Sequence, residues 1–179
     1  MSVIHLSTKL FKINSWTILL LPKSASLKLP SRGMTFVKGT INGFYFETPL
    51  EPDGRGSHWF KITKTISDGA KADAGDAVTL DIEPLKDSWP EPNVPDDLKK
   101  ALSAHSDAKA LWNKITPSAR WDWIRWINLT REDKTRKRRI EVACSKLKAG
   151  TRRPCCFNRN LCSESYVSKN WLLLDPTTN

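Results

Sequence analysis

No apolar run in this chain is long enough to cross a bilayer. The longest, Trp16–Leu21, stops at Pro22, far short of the roughly 20 residues that a spanning helix needs. Lys9 and Lys12 precede it and small residues follow at Ser24–Ser26, as in a signal peptide. The run is too short for that role, and a buried strand ending at Pro22 explains it better. The chain is also poor in the residues that do chemistry. Its three histidines, His5, His58 and His105, are scattered. No G-x-S-x-G elbow, H-E-x-x-H helix or phosphate-cradling P-loop occurs, which leaves out the commonest hydrolase, zinc-protease and nucleotide-binding signatures. A protein without enzymatic activity and without cofactor is therefore expected.

Cysteine is absent from the first 143 residues, and the four present are Cys144, Cys155, Cys156 and Cys162. Structural zinc sites use C-x₂₋₄-C pairs. The vicinal Cys155-Cys156 pair cannot easily turn both thiols to one ion, so no metal is expected. Arg152, Arg153 and Arg159 would lower a nearby thiol's pKa, which keeps a thiolate role open beside that of ordinary, partly buried thiols. A cytoplasmic protein with reduced thiols is the expectation.

Acidic residues are scarce in one stretch only. From Lys114 to Pro154 there are 13 Lys and Arg against four Asp and Glu, a net of +9 in a chain of +10. The rest, 16 basic against 15 acidic, is nearly neutral. Such a balance favours an acidic partner: nucleic acid, an anionic membrane surface or an acidic protein.

What remains is legible as two halves. Ser7–Lys12 and Trp16–Leu21 read as strands around the turn residues Asn14 and Ser15. Thr35–Ile41 and Phe44–Glu47 flank Asn42-Gly43, and that dipeptide predicts a type I′ hairpin. Pro49–Ser57 reads as a turn-rich loop, and His58–Thr63 as a strand. In Ala77–Pro84, Val78, Leu80 and Ile82 alternate with polar residues, as in a half-buried strand. Short strands punctuated by turns predict a small closed barrel. Residues 87–95 are proline-rich and read as a linker. Helices are expected over Asp96–Ala104, Ser106–Ile115, Thr116–Asn128 and Arg131–Lys148. Thr116-Pro117 supplies an N-cap and a proline at the first helical position, and Gly150 marks a C-terminus. The fold class is thus α+β: a barrel domain at 1–86, then a unit of three to four helices at 96–179 whose irregular tail packs back.

Ala119-Arg120-Trp121-Asp122-Trp123-Ile124-Arg125-Trp126-Ile127, then Thr135-Arg136-Lys137-Arg138-Arg139-Ile140, then Leu147 and Gly150, resemble the YdeI/OmpD-associated (OmdA-like) family, known for bacteriocin protection. There a helix with a W-I pair precedes a K-x-x-T-R-x-R-R-I helix ending in L-x-x-G. This chain departs at Asn128-Leu129-Thr130-Arg131, where the family often has Ala-Lys. Val37-Lys38-Gly39-Thr40-Ile41-Asn42-Gly43, Leu50-Glu51-Pro52-Asp53-Gly54, His58-Trp59 and Gly75-Asp76 resemble the uncharacterised barrel domain that commonly precedes it. The resemblance implies tolerance to bacteriocins or cationic antimicrobial peptides through a protein or envelope partner. It also implies a double-split barrel, a fold shared with AbrB-like DNA-binding proteins.

The candidate partner-binding residues are Lys134, Arg136, Lys137, Arg138 and Arg139, with Arg152 and Arg153 on the flank. Three readings of them stand: a solvated helix with pairs such as Glu132–Arg136 and Lys137–Glu141, a phosphate or nucleic-acid contact, and a contact with an acidic protein surface. Trp121, Trp123 and Trp126 lie at core-like spacing, which weighs against an exposed stacking platform. A second candidate is a pocket at the barrel mouth lined by Arg55, His58 and Trp59, beside the simpler reading of a plain turn and a wall residue.

Overall fold

Where β-branched and aromatic residues alternate, the chain forms strands, and where apolar residues recur at three and four it forms helices. The computed structural model describes residues 3–85, 89–130, 132–154, 166–170 and 172–177. They form two compact units, one at each side of residue 88, with the C-terminal segment from Tyr166 belonging to the first.

The first unit is a closed six-stranded barrel. Its strands are β1 (Ile4–Ile13), β2 (Trp16–Leu20), β3 (Thr35–Ile41), β4 (Phe44–Pro52), β5 (His58–Lys61) and β6 (Ala77–Pro84), ordered β1-β2-β5-β4-β3-β6. Each neighbouring pair is antiparallel. Closure leaves no edge to pair with another chain. The Asn42-Gly43 turn is as expected, with both residues at positive φ, 49° and 83°. Alternation fills the barrel: Leu10, Leu19, Val37, Ile41, Phe46, Leu50, Phe60, Val78, Leu80 and Ile82 are all buried in one cluster.

Two local expectations are corrected. β4 continues to Pro52, through half of the stretch expected as loop. A strand accepts proline where the ladder does not call on the missing N–H. The turn that is left is closed by Asp53, whose Oδ1 accepts the N–H of Arg55 at 2.7 Å and of Ser57 at 2.8 Å. Besides the single turn α1 (Lys23–Ser26), a helix α2 (Lys64–Ala70) lies in a stretch for which no element was expected. Thr63 caps it, its hydroxyl accepting from Ile66 N–H at 3.4 Å, and Ile66 and Ala70 pack into the barrel core.

The C-terminal segment packs on the barrel and not with the helices with which its sequence position grouped it. A short hairpin, β7 (Ser168–Lys169) and β8 (Leu172–Leu173), buries Val167 and Leu173 against Ile13, Ile18 and Trp59. Lys12 and Thr177 exchange backbone hydrogen bonds of 2.6 and 2.8 Å. The physical cause is legible in β2: a strand apolar at successive positions needs cover on both faces. Leu19 faces the barrel interior, and Ile18 faces outward under the tail.

The second unit holds α3 (Asp96–Ala104), α4 (Ser106–Lys114), α5 (Pro117–Asn128) and α6 (Asp133–Lys148). Their shared core includes Leu98, Leu102, Trp112, Ile115, Trp123, Ile127, Ile140 and Leu147. Thr116 caps α5 as its sequence predicts, accepting from Ala119 N–H at 3.3 Å. The proline-rich stretch before α3 is more than a tether. Trp121 donates its indole N–H to the Pro90 carbonyl at 2.8 Å, and Arg120 pairs with Glu91 at 2.5 Å. Among the described residues, no helix is long and apolar enough to cross a membrane.

Candidate binding surface on the basic helix

The cations of α6 divide by the helix's own period. Positions three and four apart share a face, so Arg136, Arg139, Ile140 and Ala143 all turn toward the other helices, while Lys134, Lys137 and Arg138 stand exposed on the opposite side.

The inward arginines are structural fasteners. Arg136 grips Asp97 at the start of α3 with two hydrogen bonds, from Nε at 2.6 Å and from Nη2 at 3.1 Å. A third bond, from Nη1, reaches Asn128 Oδ1 at the end of α5, at 2.8 Å. These bonds hold the Asp97 carboxyl below its usual range. Arg139, only 8% exposed, donates from Nη1 to the Trp126 carbonyl at 2.5 Å and lies over the Trp126 ring at 5.3 Å. That carbonyl belongs to the last turn of α5, where carbonyls lack helical partners and a cation suits the dipole. On the flank, Arg153 pairs with Asp122 and donates to Ser118 Oγ at 2.9 Å. Burial raises the Asp122 carboxyl's pKa, and the Arg153 charge opposes that rise. Arg152 has an exposed side chain, and its carbonyl accepts the Trp123 indole N–H at 3.1 Å.

The surface pairs differ from those expected. Arg136 turns to Asp97 instead of Glu132, and Glu132 accepts from the Thr135 hydroxyl. Arg138 is the residue that reaches Glu141, at 3.5 Å with both side chains largely exposed; such pairs contribute little.

Beside the outward cations runs a groove of about 510 Å³, lined by Trp126, Glu132, Lys134, Thr135, Arg138, Arg139 and Val142. Trp123 lies in the helical core and Trp126 packs against it, as their spacing predicts. Trp123 is fully buried, but Trp126 is only partly buried and forms part of the groove. Helical spacing held the signal. Trp126 lies four residues after Asp122 and so extends the polar strip of α5, while Val142 lies four after Arg138 on the polar side of α6. An apolar residue in line with a polar strip is a candidate for contact.

The three residues expected at a barrel-mouth pocket point to separate tasks. Arg55 pairs with Asp175 of the tail at 2.9 Å. Trp59 lies 4% exposed under the tail. His58 is buried, with Nε2 at 2.9 Å from the Gly33 carbonyl and Nδ1 at 2.7 Å from Ser26 Oγ. A carbonyl only accepts, so Nε2 carries the proton and Nδ1 accepts from Ser26. Burial, followed by the nearby Arg32 charge, pushes the His58 pKa down, against the opposing pull of the Gly33 hydrogen bond. The unfolded chain, with an ordinary histidine near about 6.5, then binds more protons than the native chain below that pH. Stability is therefore complete above about pH 6.5 and falls as the pH drops from there through the lowered native value. Denaturant midpoints measured across that range should show this slope, and it should shrink in His58→Gln.

Cys144 faces the helical core, where burial raises its thiol pKa; a thiolate role at this position is not supported. Cys155, Cys156 and Cys162 lie outside the described residues. Among the described residues no cluster of His, Cys, Asp and Glu is placed to hold a metal ion.

The profile of the OmdA family (bacteriocin-protection, YdeI or OmpD-associated) matches residues 91–150, and a domain of unknown function (DUF1905) matches residues 5–82. No curated protein matches the chain. The first match covers α3 to α6 and the second the barrel, so residues 91–150 carry a YdeI/OmpD-associated domain and residues 5–82 a DUF1905 barrel that precedes it.

Proposed function

We propose that this is a non-enzymatic, cytoplasmic binding protein that gives tolerance to bacteriocins or cationic antimicrobial peptides by engaging an acidic protein or envelope partner. One observation carries the reading: α6 uses Arg136 and Arg139 to hold the fold and leaves Lys134, Lys137 and Arg138 on its outer face. The family's description supplies the protective role. A chain of net charge +10 does not attract a cationic peptide by charge, so the complementary surface is acidic. Nucleic acid fits less well. Glu132, Asp133 and Glu141 interleave the cations and would face phosphates.

The test is survival. Deleting the gene should sensitise cells to polymyxin or to a bacteriocin, and the triple variant K134E/K137E/R138E should fail to restore growth. Its helical circular dichroism should be unchanged, because the three side chains lie outside the core. Association with an acidic partner at low salt should slow by about tenfold or more. Full protection by the charge-reversed variant would remove the basis of the reading.

A further inference from the structure

We propose that the groove beside Trp126 takes a peptide segment of the partner in which one apolar side chain is flanked by carboxylates. This rests on the binding reading above and specifies its contact. The groove lies between the last turn of α5 and the first turns of α6, and its apolar surfaces are the Trp126 ring and Val142. Its volume of about 510 Å³ lies within the range of about 300–1,000 Å³ typical of ligand sites. Three of its seven lining residues are cations and one is an acid. The acid, Glu132, already accepts a hydrogen bond from Thr135.

The cations are of two kinds. Arg139 is buried and pinned by the Trp126 carbonyl and ring. It gives the groove a fixed positive wall with no side-chain entropy left to lose. Lys134 and Arg138 are exposed and stand one turn apart on a single face. Four residues of α-helix advance about 6 Å. In an extended peptide, residues two apart lie on one side and about 6.6 Å from each other, while the residue between them points the other way. Acids at the first and third positions of an extended segment therefore match the spacing of Lys134 and Arg138, and an apolar residue at the fifth, on the same side of the segment, meets Val142 one turn further along α6, beside Trp126. A single-stranded nucleic acid could also stack on Trp126, but its phosphates would meet Glu132 and the adjacent Asp133.

The intact protein should be titrated, by fluorescence anisotropy, against a fluorescein-labelled heptapeptide of Asp and Glu with leucine at its fifth position. The same peptide with serine in place of leucine, and an oligothymidylate of equal charge, serve as comparisons. The leucine peptide should bind at least about tenfold tighter than the serine peptide, as expected for a leucine side chain withdrawn from water. Arg138→Glu should weaken it by about tenfold, as should Val142→Glu; Arg138 is exposed, so that variant tests the groove even if Val142→Glu disturbs packing. Equal binding of the two peptides, tighter binding of the oligothymidylate, or no binding of the leucine peptide would each overturn the proposal. If K134E/K137E/R138E abolishes protection while the two peptides bind alike, the binding reading stands and the groove assignment falls. If the leucine peptide binds as expected while the deletion strain survives normally, the groove assignment stands and the protective role falls.

Discussion

Gly39→Ala is expected to cost the barrel about 3 kcal/mol or more. Gly39 sits within β3, opposite Phe46 on β4 and Ile82 on β6. A Cβ at this position would stand 1.9 Å from the Asp81 carbonyl oxygen, 2.9 Å from its carbon and 3.0 Å from Ile82 Cα. Each of these is a backbone atom, so no rotamer change gives relief. β3 would have to part from β6 along a register that runs from Val37↔Pro84 to Ile41↔Leu80. The displacement cannot end there, because β6 also pairs with β1 through Ile4↔Ile82 and Leu6↔Leu80. In an open sheet an edge strand could swing away; a closed barrel has no such freedom. The control is Gly33→Ala, whose new methyl would lie 3.5 Å from Ser31 Oγ, an ordinary contact. Thermal or denaturant unfolding of the two variants should differ by most of that cost. Equal midpoints would mean that β3 and β6 do not pair in this register.

Trp123→Ala should be as damaging to the helical unit, by about 3–5 kcal/mol. Trp123 is fully buried. Its indole N–H satisfies the Arg152 carbonyl at 3.1 Å, and its ring meets Trp126 edge to face, with centroids 6.0 Å apart. Truncation leaves a cavity, an unpaired carbonyl and a tryptophan without its neighbour. Since whole domains are stable by about 5–15 kcal/mol, the unit should lose much of its helical circular dichroism on mild heating. Trp121→Ala should cost less. Trp121 is only partly buried, and its indole N–H bonds to the Pro90 carbonyl. A loss below about 1 kcal/mol for Trp123→Ala would contradict the packing described.

These two positions show how far the sequence could be read. The Asn42-Gly43 hairpin and the Thr116-Pro117 helix start were legible because each is set by the residues at the turn itself. So was the alternation of β6, which declares its buried face residue by residue. α2 was less visible: seven residues carry only two core contacts, Ile66 and Ala70, and its clearest mark is the Thr63 cap. The cations of α6 were located as a cluster, and the helical period divides them into inward and outward sets, but the partners of the inward pair were not legible. That Arg136 pairs with Asp97, and Arg139 with the Trp126 carbonyl, depends on which helices lie beside α6. Charge counting treats those two like Lys134 and Lys137, although they act as fasteners. The groove was missed for the same reason, since Trp126 and Val142 come from different helices and meet only in the folded unit.

The tail that closes over Ile13, Ile18 and Trp59 has a consequence for synthesis. A nascent chain that has emerged as far as β6 holds every strand of the barrel, yet the outer apolar patch still lacks Val167 and Leu173. About eighty residues must follow before the cover arrives, roughly 4–16 s at ordinary ribosomal rates of about 5–20 residues per second. During that interval the helical unit can complete itself, while the barrel carries a bare patch of the kind that draws chains into aggregates or invites a chaperone.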